Sequence, residues 1–66
     1  MEITVNGTAA QPSDSSTVLE VLASRMAPEE TVIVLLNGEM VSRELWGSTA
    51  LKMGDNVEVI SVLGGG

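Results

Sequence analysis

The chain opens on Glu2-Ile3-Thr4-Val5, where apolar positions recur every second residue. That is the period of a half-buried strand. Asn6-Gly7 follows, a pair that tolerates the positive φ angles of a tight hairpin turn. A return strand is predicted from Thr8 to Gln11, ended by Pro12. Ser13-Asp14-Ser15-Ser16 reads as a polar loop. Thr17 is then placed to cap a helix, with Glu20 three residues on to complete a capping box. Val18, Val21, Leu22 and Met26 recur at helical spacing, and Leu19 and Ala23 widen the stripe. Pro28 cannot continue a helix, so this one is expected to finish near Met26, with Glu29 and Glu30 in the loop that follows.

Thr31 to Leu36 is a short apolar run rich in β-branched residues, the signature of a strand buried on both faces. Asn37-Gly38 is a second turn signal, and Glu39-Met40-Val41 a brief strand. Ser42 is placed to cap one helical turn from Arg43 to Trp46, closed by Gly47. Gly54-Asp55-Asn56 is a further turn. The last strand is Val57 to Val62. Val57, Val59 and Ser61 face one way; Glu58, Ile60 and Val62 face the other. The chain then closes on Leu63-Gly64-Gly65-Gly66.

The order is strand, strand, helix, strand, short elements, strand. One helix can cover one face of a small mixed sheet, and a terminal strand this apolar belongs in the middle, beside the first. That arrangement is an α+β, ubiquitin-like β-grasp fold. Residues 1–62 form the domain, and residues 63–66 a flexible glycine tail.

Composition narrows the chemistry. The chain has 66 residues, nine acids against three bases, a net charge of −6, and neither cysteine nor histidine. This length allows one domain, and a chain so short buries only about 60% of its unfolded surface. No thiolate or imidazole is present to act as nucleophile, general base or metal ligand. Arg25, Arg43 and Lys52 are too few to neutralise a phosphate backbone. The longest apolar run, Val32 to Leu36, is far short of the ~20 residues that span a bilayer. The opening residues lack the pattern of a signal peptide, so a cytoplasmic location is expected. The picture is a binding or carrier domain with no enzyme activity of its own.

Four segments together carry a resemblance. They are Met1 to Gly7, Thr17 to Leu22, Leu36 to Trp46 with its Asn-Gly-Glu turn and Arg-Glu-x-Trp, and Gly54 to Ile60 leading into the glycine tail. The chain resembles the ubiquitin-like sulfur carriers of the ThiS/MoaD family, and the ThiS-like members most closely. The resemblance implies that a ThiF-like adenylating enzyme uses ATP and magnesium to activate the C-terminal glycine carboxylate. Sulfur from a persulfide donor such as a cysteine desulfurase then replaces the adenylate and leaves a thiocarboxylate. A ThiG-like thiazole synthase takes that sulfur into the thiazole of thiamine. No cofactor is implied for the carrier itself.

On this reading Gly66 is the activated residue, or Gly65 if a peptidase first removes the extra glycine, since the family's usual ending is Gly-Gly. Leu63, Gly64 and Gly65 form the partner-binding tail. Glycine has no Cβ, so such a tail fits a narrow channel. Ile60 and Val62 are a docking surface if their face of the sheet is open. Trp46 reads foremost as a lid on the core. Arg43 is expected to pair with Glu44 or Glu39 and has no catalytic role. Met26, Met40 and Met53 are gap-filling core or semi-exposed surface. The alternatives are a MoaD-like carrier for molybdopterin or another acceptor, a ubiquitin-like protein modifier, and a non-covalent interaction domain.

Overall fold

The computed structural model describes residues 1–25 and 31–62. Strand β1 (Ile3–Val5) turns through Asn6 and Gly7, with φ of 51° and 82°, into β2 (Thr8–Ala10). Helix α1 spans Val18–Ala23. Then come β3 (Val32–Leu36), β4 (Glu39–Val41), a 3₁₀ helix (Arg43–Ser48) and β5 (Asn56–Ser61). The sheet has five strands in the order β2-β1-β5-β3-β4. β5 runs parallel to β1 and antiparallel to β3. The terminal strand is central, as its apolar faces predict.

The capping box forms. The Glu20 amide donates to Thr17 Oγ1 at 3.2 Å, and the Thr17 amide donates to Glu20 Oε1 at 2.8 Å. α1 then stops at Ala23, short of Met26, which lies outside the described residues with Pro28, Glu29 and Glu30. Its last turn tightens locally. The Arg25 amide donates to the Leu22 carbonyl, three residues back, and Ser24 Oγ donates to the Val21 carbonyl. Those bonds satisfy end carbonyls that a longer helix would have used.

The core joins Ile3 and Val5 of β1, Val18, Val21 and Leu22 of α1, Val34, Trp46, Leu51 and Val57. α1 is also held from its start. The Val18 amide donates to the Thr49 carbonyl and the Leu51 amide to the Ser16 carbonyl. A helix of six residues would be marginal alone, so packing and these ties make it stable.

Two local expectations are corrected. β3 is not buried on both faces: Val34 is fully buried, but Ile33 is 38% exposed. A single helix covers a single face of the sheet, and Ile33 lies on the other. Gly47 does not close the turn after Trp46; it lies inside the 3₁₀ helix, and Ser42 makes no side-chain cap. The helix is closed by Thr49, whose Oγ1 donates to the Leu45 carbonyl at 2.6 Å. Gly47 avoids the left-handed region, and a Cβ there would meet only Leu19 Cδ2 at 3.6 Å. Gly47→Ala is therefore expected to stabilise the fold by about 0.5 kcal/mol, chiefly by restricting the unfolded chain. Urea unfolding checks this as a higher midpoint at unchanged slope.

Trp46 is buried at one edge of the core, and its Nε1 donates to the Val41 carbonyl at 3.0 Å. The Arg43 guanidinium lies over the indole, 5.5 Å from the ring centroid. The lid reading of Trp46 holds. Met40 and Met53 are 67% and 78% exposed, so both are surface rather than core.

Candidate functional site: the open sheet face and the root of the tail

The site is built on β5, and its geometry follows from how β5 is held. At its start, Asp55 is buried, and both its carboxylate oxygens accept hydrogen bonds: Oδ1 from Asn37 Nδ2 at 3.0 Å, Oδ2 from the Lys52 amide at 2.8 Å. Asn37 Oδ1 in turn accepts from the Asn56 amide at 2.8 Å. The Asn37-Gly38 turn is thus tied to the Gly54-Asp55 turn. A buried carboxylate is tolerated because its oxygens are satisfied.

Farther along, the other Asn-Gly turn does the same. Asn6 Oδ1 accepts from the Val59 amide at 2.8 Å, and Asn6 Nδ2 reaches the Val59 carbonyl at 3.4 Å. Each asparagine serves twice, taking a positive φ and pairing its amide with β5. Sequence reading finds the turns but not these bonds, which in the case of Asn6 join residues 53 positions apart.

The register decides what each face carries. Val59 lies opposite Val34 and Val57 opposite Leu36, toward the helix. On the other side Ile60 lies opposite Ile33, Glu58 opposite Leu35, and Leu35 opposite Met40. Thr4 lies opposite Asn56, and its Oγ1 donates to Asn56 Oδ1 at 2.8 Å. This open face grades along β5. It is polar at Thr4, Asn56 and Glu58, then apolar toward the tail, where Ile60 is 48% and Val62 38% exposed. The Val62 amide donates to the Thr31 carbonyl, which holds the strand on the β3 side to its last described residue.

The expected docking residues Ile60 and Val62 are therefore both exposed, and the structure adds Ile33, Leu35 and Met40 beside Ile60. The missed signal was parity. Ile33 and Leu35 alternate with Val34 and Leu36, so a sheet covered on one face leaves them on the other. Leu63, Gly64, Gly65 and Gly66 lie outside the described residues. Glu58 is the one charged side chain among the named residues of this face. Among the described residues no group of three or more potential metal ligands comes together. No helix among them is long and apolar enough to cross a membrane.

Comparison with known proteins gives the same architecture. The crystal structure of the thiamine biosynthesis protein ThiS from Geobacter metallireducens is 40% identical over 100% of both chains, with a TM-score of 0.84. A solution NMR structure of a thiamine biosynthesis protein from Geobacter metallireducens is also 40% identical. It covers 100% of this chain and 88% of that one, with a TM-score of 0.77. No curated protein matches. The model of the ThiS family matches residues 1–66. A mixed β-grasp sheet, an open apolar face and a match along the whole sequence agree: the chain belongs to the ThiS family.

Proposed function

We propose that this protein is a sulfur carrier for thiamine thiazole synthesis. Gly66 is the residue activated, with Gly65 taking that place if the last glycine is trimmed. The observation that carries the reading is the placement of the glycines. In the sequence they come three residues after the central strand, whose open face carries the exposed Ile60 and Val62.

A free carboxylate is a poor acyl donor. Attack of the Gly66 carboxylate on the α-phosphate of ATP releases pyrophosphate and leaves an acyl adenylate, from which AMP departs readily. The outer sulfur of a persulfide attacks the carbonyl and expels AMP, leaving an acyl disulfide with the donor. A second thiol of the partner proteins then attacks the donor's sulfur and the S–S bond breaks. The thiocarboxylate that a ThiG-like thiazole synthase consumes is released as a disulfide forms on the donor. ATP and magnesium belong to the ThiF-like adenylating enzyme, and the sulfur to a donor such as a cysteine desulfurase. The carrier supplies the acyl group and the docking face. This division suits a chain without histidine or cysteine, working in the cytoplasm.

The same geometry suits a docking role. Ile60 and Val62 dock on the adenylating enzyme, and Leu63 joins them at the start of the tail. Gly66 is four residues beyond Val62, about 13 Å of extended chain. The enzyme that holds the carboxylate must therefore contact this end of the open face. The acidic surface speeds encounter with a basic groove, an effect that weakens with salt.

Intact mass under non-reducing conditions tests the function. Incubation with adenylating enzyme, ATP, magnesium and a persulfide donor should give a species heavier by the difference between one sulfur and one oxygen. A product mass that remains that of the plain carboxylate removes the carrier reading.

A further inference from the structure

The backbone of β5 is used unequally on its two sides. Toward β3 the pairing runs through Ser61, and the Val62 amide adds the bond to Thr31. Toward β1 the strand pairing covers only Asn56 and Val57. The Asn6 amide then donates to the Val57 carbonyl, the Asn6 side chain takes both polar groups of Val59, and the chain turns away at Gly7. Backbone groups in a strand alternate sides. Val57 and Val59 point toward β1, so the N–H and C=O of Ser61 point into the lane beyond Asn6. Among the described residues nothing pairs with them there. Beside this lane lies an open cleft of about 410 Å³, lined in part by Val5, Leu22, Val32 and Val59.

We propose that this edge receives an extended segment of the adenylating partner, which adds to the sheet in the lane that β1 vacates. The inference rests on the carrier reading above and names how the tail is gripped. Ser61 stands five residues before Gly66, about 16 Å of extended chain. Whatever lies along that edge therefore belongs to the protein that handles the carboxylate. Added strands bind through main-chain hydrogen bonds and select through alternate side chains. Here the alternate position faces the cleft, whose lining sets Val5, Val32 and Val59 beside the polar Asn6, Thr8 and Arg25. The Asn6 amide group fills the preceding rung, so it stops the added strand and sets its register. Among the described residues Ser61 is thus the first rung without a partner on this side, and Leu63 comes two residues later.

The edge separates backbone from side chain experimentally. Ser61→Pro removes the N–H facing the lane and spares the β3 ladder, whose bonds come from the residues on either side. Ser61→Ala keeps the N–H and removes the hydroxyl. In pyrophosphate exchange with the ThiF-like enzyme, Ser61→Pro should raise the KM for the carrier about tenfold, the cost of one lost hydrogen bond. Ser61→Ala should match the wild type.

Amide hydrogen exchange on the unaltered chain is the second measurement, since it needs no variant to fold. The Ser61 amide should exchange quickly in the free carrier and slow about tenfold or more when the enzyme, ATP and magnesium are added. Equal KM values for Ser61→Pro and wild type, equal losses in both variants, or a Ser61 amide unchanged in the complex would each overturn the inference. So would concentration-dependent protection in the carrier alone, which would assign the edge to a second copy of the chain. Wild-type turnover in the same assay keeps the two claims apart: no exchange at all removes the carrier reading itself.

Discussion

Deleting Gly65 and Gly66 together should reduce adenylation to background while the thermal midpoint stays unchanged. The core residues lie between Ile3 and Val57, so the deletion removes none of them. What it removes is reach. Two residues of extended chain are about 7 Å, and a reacting group misplaced by as little as 1 Å can cost about a hundredfold in rate. Deleting Gly66 alone gives a finer result. If Gly66 is the acyl donor, the shortened chain should lose about a hundredfold or more. If a peptidase trims the native chain, the shortened form should work as well as the product of trimming. A double deletion that still supported thiamine synthesis in cells at the wild-type level would fit a non-covalent interaction domain, and the carrier reading would fall.

Trp46→Ala should be the most damaging single change to the fold. It empties the largest buried side chain and leaves the Val41 carbonyl without its indole partner. Substitutions of this kind cost about 3–5 kcal/mol. A chain of 66 residues holds only about 3–10 kcal/mol in total, so the variant should be largely unfolded at physiological temperature. Trp46→Phe, which keeps most of the volume but loses the pyrrole ring and its hydrogen bond to the Val41 carbonyl, should recover most of that loss. Far-ultraviolet circular dichroism against temperature distinguishes the two. A Trp46→Ala variant melting within a few degrees of wild type would show that the indole is not the lid it is taken to be.

Much of the fold is legible because short-range rules set it. Thr17 and Glu20 cap α1 with groups three residues apart, and Asn6-Gly7 and Asn37-Gly38 turn where that pair turns elsewhere. The face of β5 that holds Ile60 and Val62 is readable from alternation alone. What was not legible depends on partners distant in sequence. α1 ends at Ala23, with Ser24 and Arg25 closing the carbonyls of Val21 and Leu22. The openness of Ile33 follows from how few elements there are to cover a five-stranded sheet. Neither the Asp55–Asn37 tie nor the Asn6–Val59 pairing leaves a mark in the sequence beyond turn-forming residues. The proposal for the glycine end rests on a family resemblance, whereas the neighbours of Ile60 on its face, Ile33 and Met40, needed the strand register.

The parallel pairing of β1 with β5 has a mechanical side. β1 begins at the chain's N-terminal end and β5 runs out toward its C-terminal end, so a pull between the two ends drives these strands past one another. Their hydrogen bonds, lying across that direction, are loaded in shear and share the force instead of opening one by one. A pull along the chain ends thus meets shear, and resistance to forced unfolding should fall when Asn6 no longer clasps Val59.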